Sequence, residues 1–256
     1  MRSLFVNLLL LLIFFGCLEN ANLKTDIDNI EINQDILSDS SIVKFYLPFK
    51  KNLEKSLMNK PISYSFETYK KNDGELNSTL SNMFADATFE MSNDRFKEIS
   101  GKNIDIVLLN NGGIRSIISK GDISEKTAFE LMPFENSIVV LELSGKSINK
   151  MIDYLRVVKL QHPIRGLQIK LNNDYSLNDV KINGQKININ KKYYVATTDY
   201  LLDGGDKMYF LAETTKTIDI NYKMRDVLMD YFKKNDTIKL VKDNRFIRIK
   251  WIEKPS

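Results

Sequence analysis

The hydrophobic positions of the chain follow two periods, one typical of helices and one typical of strands. Apolar residues at helical spacing predict helices over residues 42–58, 78–91, 147–158 and 220–232. Alternating or continuous apolar runs predict strands over residues 62–66, 104–109, 137–143, 166–171, 193–197 and 246–251. Because proline removes a backbone donor, the regular part of the first helix is expected to begin near Pro48. Asn77 or Ser78 is expected to cap the second helix.

Helices and strands interleave, but several neighbouring strands are joined by connections too short for a parallel crossover. The order therefore predicts an α+β (mixed α/β) class, with a mixed sheet covered by helices. After Ser40 the sequence shows no second linker, internal repeat or low-complexity segment. We expect one domain over residues 41–256, because a hydrophobic fraction of 43% is ample for a full core.

The beginning of the chain predicts an export signal followed by a tether. Residues 1–16 combine Arg2 with an apolar run too short to cross a bilayer as a helix, which is typical of a signal peptide. The run Phe14-Phe15-Gly16-Cys17 resembles the lipobox of bacterial lipoproteins, so Cys17 is the expected lipidation site. Residues 17–40 are polar and acidic, as in a flexible tether. Ordinary secretion and an uncleaved membrane anchor are the alternatives.

Composition excludes several classes of site. The chain has one cysteine and one histidine, which rules out a disulfide framework and a zinc site built from Cys and His. The 37 lysines and arginines against 33 acidic residues leave a net charge of +4. Because no basic block is present, we expect no binding to a nucleic acid polymer.

A glycine-containing loop over residues 109–115, here called the first glycine loop, directly follows a predicted strand. Its paired glycines let a backbone approach a ligand closely, while Asn110 and Arg115 place an amide and a guanidinium at the same edge. A planar guanidinium suits a bidentate phosphate contact. The alternative is a tight turn with an exposed arginine.

The second glycine loop, residues 197–206, also follows a predicted strand. Gly204 and Gly205 turn the chain sharply and bring Asp206 next to any ligand that Tyr200 covers. A carboxylate can accept hydrogen bonds from a vicinal diol such as that of ribose, and an aromatic ring can stack on a base. The alternative is a hairpin turn with a capping aspartate.

These loops and several further motifs resemble, in order, the C-terminal domain of the 5′-nucleotidase family, the substrate-recognition half of ecto-5′-nucleotidases and periplasmic UDP-sugar hydrolases. The motifs are Ser78-Thr79-Leu80-Ser81-Asn82-Met83-Phe84-Ala85-Asp86-Ala87, Asn110-Asn111-Gly112-Gly113-Ile114-Arg115, Gly121-Asp122-Ile123, Leu131-Met132-Pro133-Phe134-Glu135-Asn136, Leu143-Ser144-Gly145, Asp199-Tyr200-Leu201 with Gly204-Gly205-Asp206, and Asp243-Asn244-Arg245-Phe246-Ile247. The resemblance covers nearly the whole chain after the tether and implies the fold of that domain.

The resemblance implies a role for each matching residue. By role, these are Phe134 and Tyr200 for nucleobase stacking, Asp206 for the ribose hydroxyls, and Asn110, Arg115, Asn136, Gly204 and Gly205 for the remaining nucleotide contacts. For Phe134 the alternative is a purely structural core aromatic. His162 is expected in a surface loop, with a place in the lining of the base pocket as the alternative.

The sequence departs from the family in two ways. The family arginine that helps to hold phosphate aligns with Gly74, and Lys70 and Lys71 are substitutes without bidentate geometry. Family enzymes hydrolyse phosphate esters at a two-metal site in a separate N-terminal metallophosphoesterase domain. This sequence holds no D-x-H or G-N-H-D motif and one histidine. We therefore expect no metal, no cofactor and no catalytic residue here, and we expect nucleoside recognition to be retained.

Together these expectations favour a lipid-anchored domain of the bacterial cell envelope, facing the periplasm or the exterior, that binds a nucleoside or nucleotide. It would act with a separately encoded metallophosphoesterase in nucleotide catabolism, or capture purines for salvage. One alternative is a structural or adhesive surface lipoprotein with a vestigial pocket. Another is a weak nucleotide hydrolase that acts by itself.

Overall fold

The computed structural model describes residues 31, 33, 35–57 and 60–249. The predicted signal peptide, Cys17 and most of the predicted tether lie outside the described residues. The backbone forms two units, Met1–Pro48 and Phe49–Ser256. Among the described residues, no helix combines the length and the hydropathy needed to span a membrane.

The first helix among the described residues, here called α1, spans Ser40–Leu57 and contains Pro48. The prediction that the regular helix begins near this proline is therefore wrong. The physical reason is a cap that the hydrophobic pattern does not report. The Asp39 Oδ1 atom accepts hydrogen bonds from the backbone N–H groups of Ser41, at 2.7 Å, and Ile42, at 3.2 Å, which satisfies the free amides of the first turn.

The unit Phe49–Ser256 contains twelve strands and five further helices among its described residues. The strands are β1 Ser63–Ser65, β2 Ile106–Leu108, β3 Gly121–Ile123, β4 Ser137–Ser144, β5 Ile164–Arg165, β6 Leu167–Leu171, β7 Leu177–Ile182, β8 Gln185–Lys186, β9 Lys192–Thr198, β10 Lys216–Lys223, β11 Thr237–Ile238 and β12 Phe246–Arg248. The helices are α2 Thr79–Ser100, α3 Glu125–Leu131, α4 Gly145–Val158, α5 Asp199–Leu202 and α6 Met224–Lys234.

Among the described residues the strands form three mixed sheets, in the orders β10-β4-β9-β2-β5, β11-β1-β3 and β12-β6-β7-β8. In the five-stranded sheet, β2 runs parallel to β9 and the other neighbours are antiparallel. The predicted class, a mixed α/β fold with mixed sheets and helices, is confirmed.

The core lies on both faces of the five-stranded sheet, because successive side chains of a strand point to opposite faces. In β4, Ile138 and Val140 join one buried cluster, whereas Val139 and Leu141 join the other. The first cluster also takes the apolar faces of α2 and α6, and the second takes that of α4. The sheet is therefore covered by helices on both sides, as the sequence predicts.

Two predicted helices have different bounds in the structure. Ser78 caps α2 as predicted, since its side chain accepts the Ser81 N–H at 3.1 Å, but the helix continues to Ser100 rather than residue 91. The predicted helix over residues 220–232 is wrong at its start. Ile220 and Tyr222 are buried in strand β10, where their alternation fits a strand, and α6 begins only at Met224.

Candidate functional site

A cleft opens at one edge of the five-stranded sheet and encloses about 260 Å³. This is near the lower end of small-molecule pockets, roughly 300 Å³. Its lining residues are Asn110, Gly112, Gly113, Arg115, Met132, Phe134, Asn136, Tyr200 and Asp206. All six predicted contact residues with side chains are brought together here, whereas the predicted glycines, Gly204 and Gly205, lie outside the lining.

Strand directions explain why distant residues meet at this edge. Parallel strands β2 and β9 both end here, so the two glycine loops that follow them are neighbours. Strand β4 is antiparallel to β9 and pairs Ile138 with Thr198, so β4 begins at the same edge. The segment 133–136 that precedes β4, here called the Phe134 loop, thereby forms the third wall. Ligand sites commonly lie at the carboxyl ends of parallel strands.

Asp206 is the polar centre of the cleft. Its Oδ2 atom accepts a hydrogen bond from Asn110 Nδ2 at 2.7 Å, and its Oδ1 atom accepts one from the Tyr200 hydroxyl at 3.4 Å. Asp206 and Lys207 both have positive φ values, 50° and 61°. Residues with side chains rarely adopt this left-handed conformation, and such strain is concentrated at functional sites.

Two glycines act on the cleft by leaving room for its side chains. A Cβ atom at Gly113 would lie 2.8 Å from Asn110 Oδ1, and one at Gly205 would lie 2.4 Å from Tyr200 Cε1. Gly204 adopts a φ of 94°, which favours glycine. The glycines of the second loop therefore shape the backbone and support the Tyr200 ring from outside the cleft.

The Phe134 loop is held in place by the start of α6. The buried Arg225 side chain forms an ion pair with Glu135 and donates from Nη1 to the Pro133 carbonyl at 3.4 Å. Lys223 Nζ donates to the Glu135 carbonyl at 2.8 Å. The hydrogen bond from Arg225 lowers the pKa of Glu135, so this carboxyl keeps its charge. These contacts fix the backbone on both sides of Phe134.

One carboxylate connects the Phe134 loop to the second glycine loop. Asp199 Oδ2 accepts the backbone N–H of Ser137 at 3.1 Å, and Asp199 Oδ1 accepts that of Tyr200 at 2.8 Å. Ser137 directly follows Asn136, whose side chain belongs to the lining. The family motif contains this aspartate, but its position in the chain gives no hint of a bridge between two walls.

The two aromatic side chains of the cleft keep much of their surface open. Phe134 is 41% exposed and Tyr200 is 46% exposed. The alternative of Phe134 as a core aromatic does not fit this exposure, because buried core side chains lose nearly all contact with solvent. The Arg115 guanidinium carbon lies 5.8 Å from the centroid of the Phe134 ring, within the range of a cation–π contact.

Positive charge in the cleft comes from Arg115. Its exposed side chain donates from Nη1 to the Gly112 carbonyl at 3.4 Å. Lys71, outside the lining, donates from Nζ to the carbonyls of Asn111 at 3.2 Å and Ile114 at 2.7 Å. Burial, together with the charge of Arg115, lowers the pKa of Lys71. Lys71 therefore supports the first glycine loop from behind and does not replace the family arginine in the cleft.

The position of the family arginine is also closed sterically. A Cβ atom at Gly74 would lie 2.2 Å from the Asn77 carbonyl oxygen and 3.2 Å from side-chain atoms of Lys242. Among the residues that the structure describes, no group of three or more His, Cys, Asp or Glu side chains is arranged to hold a metal ion.

His162 lies beneath the cleft, and both sequence-based placements of this residue are wrong. It is 2% exposed, so it is not in a surface loop, and it does not line the cleft. Its Nδ1 atom accepts the backbone N–H of Asn111 at 3.2 Å. Burial lowers the pKa of His162 to about 4. The sequence offers one signal for this placement, since His162 stands directly before Pro163 and the buried strand residue Ile164.

Sequence reasoning also missed Tyr154 and Met132. The Tyr154 hydroxyl donates to the Asp206 carbonyl oxygen at 2.8 Å, and Met132 is a buried residue of the lining. Tyr154 belongs to α4 and resembles an ordinary helix-face aromatic in the sequence. Its contact with Asp206 depends on the tertiary arrangement alone.

Comparisons with known proteins show which family this chain belongs to. The family described as 5′-nucleotidase, C-terminal domain, matches residues 57–213, more than half of the chain. The UshA protein of Escherichia coli strain K12 is 31% identical over 140 residues, which cover 52% of this chain and 25% of that protein. A 5′-nucleotidase of Vibrio cholerae is 24% identical over 224 residues, which cover 83% of this chain and 37% of that enzyme.

The crystal structure of a 5′-nucleotidase precursor from Thermus thermophilus has a similar fold. It matches with a TM-score of 0.68 at 20% identity and covers 85% of this chain and 44% of that one. The chain thus spans less than half the length of the relatives named here. The likeness in structure shows the fold, and the match over residues 57–213 shows the relationship: the chain belongs to the family of 5′-nucleotidase C-terminal domains.

Proposed function

We propose that this chain binds a nucleoside or nucleotide in the cleft and recognises it mainly through the base and the ribose. The observation that supports this proposal most strongly is the convergence of two exposed aromatic rings and one carboxylate at a single sheet edge. Family membership supports the same proposal, because a relative from Vibrio cholerae is named a 5′-nucleotidase.

In this proposal the base stacks between Phe134 and Tyr200. Stacking on an aromatic side chain contributes about 1–3 kcal/mol per base. The Asp206 carboxylate accepts the two ribose hydroxyls, for which it exchanges its contacts with Asn110 and Tyr200. Asn136 supplies an amide to the edge of the base, and Asn110 supplies one to the nucleoside.

Phosphate adds little affinity in this proposal. Among the described residues that line the cleft, Arg115 is the one with a cationic side chain, and this side chain is exposed. An exposed ion pair contributes up to about 1 kcal/mol. The dissociation constants of adenosine and AMP should therefore agree within about fivefold.

We also propose that the domain works beside a separately encoded metallophosphoesterase, in nucleotide catabolism or purine salvage. The support is the combination of the base-recognition and ribose-recognition residues with a single histidine in the chain. Lipidation at Cys17 would hold the domain at the bacterial cell envelope, facing the periplasm or the exterior.

Isothermal titration of the full chain in mild detergent, with adenosine, AMP and UMP, tests ligand binding. We expect binding without divalent metal, and Asp206→Ala should raise the dissociation constant more than about tenfold, because hydrogen bonds to a charged group are lost. Asp203→Ala is the matched control, since it removes an exposed carboxylate of the same segment that does not line the cleft. Absence of binding with all three ligands would refute the proposal and favour a surface lipoprotein with a vestigial pocket.

The partner is tested separately by measuring phosphate release. A metallophosphoesterase from the same cell should hydrolyse AMP faster when the full chain is added. The Asp206→Ala variant should increase this rate less than the wild-type chain does. Equal rates with and without the chain would refute the partnership. Metal-dependent phosphate release by the purified chain alone would show instead that it is a hydrolase.

A further inference from the structure

We infer that His162 is a positioning residue for the cleft, holding the two glycine loops from beneath in the arrangement that binds ligand. This inference rests on the proposed function, because it assigns to His162 a role in that same cleft. His162 is not among the residues that line the cleft. It acts through the residues that it supports.

The first support is a direct hydrogen bond to the first glycine loop. His162 Nδ1 accepts the N–H of Asn111 at 3.2 Å. Asn111 begins the short 3-10 turn Asn111–Gly113 and directly follows Asn110, the residue that donates to Asp206. Because a turn this short has few internal hydrogen bonds, an acceptor at its first amide fixes where Asn110 points.

The second support passes through Tyr154 to the second glycine loop. The rings of His162 and Tyr154 pack with their centroids 5.7 Å apart, and Phe210 packs on Tyr154 at 5.6 Å. The Tyr154 hydroxyl donates to the carbonyl oxygen of Asp206 at 2.8 Å. This bond holds the backbone of Asp206 in its left-handed conformation, with a φ of 50°.

The protonation state of His162 fits this role better than a role in packing. Because Nδ1 accepts a hydrogen bond, the proton of the neutral ring is on Nε2. The ring is buried, and a hydrogen bond with the backbone of Leu109 partly opposes the lowering of the pKa of His162 by burial. What the imidazole supplies, and an apolar residue would not, is the acceptor for Asn111.

Two substitutions separate the acceptor from the volume of the side chain. His162→Leu removes the acceptor, whereas His162→Asn places a carbonyl oxygen near the position of Nδ1. We expect His162→Leu to weaken adenosine binding about fivefold to tenfold, the loss that corresponds to one hydrogen bond. Exchange of the Asn111 amide with solvent should accelerate in the same variant. His162→Asn should restore both values to within about threefold of the wild type.

The thermal melting temperature distinguishes positioning from a merely structural role. A merely structural role predicts that adenosine binding weakens in step with the melting temperature, whereas His162→Asn should keep adenosine binding within about threefold of the wild type even where its melting temperature falls. If the wild type binds adenosine and His162→Leu binds it equally well, the inference is wrong and the proposed function stands. If the wild type binds no ligand, the proposed function fails. The support of the first glycine loop is tested independently of ligand binding, because an unchanged exchange rate of the Asn111 amide in His162→Leu would refute it.

Tyr154→Phe provides a second variant if His162→Leu does not fold. It keeps the ring that packs on His162 and removes the hydroxyl that bonds to Asp206. Adenosine binding should weaken severalfold, by the same loss of one hydrogen bond. Unchanged binding in Tyr154→Phe would refute the support of the second loop.

Discussion

Acid should destabilise this fold through its single histidine. Burial lowers the pKa of His162 from 6.5 to about 4 in the folded chain. Between these two pH values the unfolded chain binds a proton that the folded chain does not, so the free energy of unfolding falls as the pH falls. The stabilisation is complete above about pH 6.5 and is lost progressively towards pH 4. The gap between the two pKa values corresponds to about 3 kcal/mol, at 1.36 kcal/mol per pH unit.

The assay is urea unfolding of the wild type and of His162→Leu at a series of pH values from 7 to 4. Carboxylates titrate in both proteins, so the difference between the two curves isolates the imidazole. The negative charge of Asp206 opposes the effect of burial on the pKa of His162, and it is present in both proteins. We expect the wild type to lose about 3 kcal/mol more than the variant over this range.

Two results would refute this reasoning. Parallel pH dependences of the wild type and His162→Leu would mean that the ring titrates alike in the folded and unfolded chains. An NMR titration that gives His162 a midpoint near 6.5 would mean that the ring is solvated in the folded chain, contrary to its burial.

Three further predictions concern the walls of the cleft. Gly205→Ala places a methyl group 2.4 Å from Tyr200, so titration should show adenosine binding about tenfold weaker; unchanged affinity would contradict this. Lys207→Gly relieves a φ of 61°, and urea unfolding should show a gain of about 1 kcal/mol, where a loss would count against strain. Arg225→Met removes the contacts that hold the Phe134 loop, so the free energy of unfolding should fall by about 1–2 kcal/mol. Proteolysis of the loop should also accelerate, and equal proteolysis rates in the variant and the wild type would contradict the anchoring role.

The sequence predicts the long elements of the fold well because they bury one face over many residues. The predicted bounds of strand β4 and helix α4 differ from the structure by one or two residues. Strands such as β5 and β8 contain two residues each, too few for a period to register. The predicted boundary of β10 and α6 is misplaced because both elements bury apolar residues, and only their spacing changes.

The contact residues of the cleft could be predicted because they stand in short motifs after strands. Their supports could not, because they come from distant parts of the chain. Tyr154 and Asp206 are 52 positions apart, and the Tyr154 hydroxyl donates to the Asp206 carbonyl oxygen. Arg225 is 90 positions from Glu135, with which it pairs. One local signal points to the burial of His162, its position directly before Pro163 and the buried Ile164, but a histidine before a proline is equally compatible with an exposed loop.

The Asp199 bridge has a consequence for how ligand preference can change. Its carboxylate accepts backbone N–H groups from both Ser137 and Tyr200, so moving the walls apart breaks two hydrogen bonds at once. Because the walls of the cleft are already fixed, few side chains lose conformational freedom when a ligand binds. The distance between the walls is then the same for every base. Preference for a different base can then change through substitutions of residues that contact the base edge, such as Asn136, while the spacing of the walls stays the same.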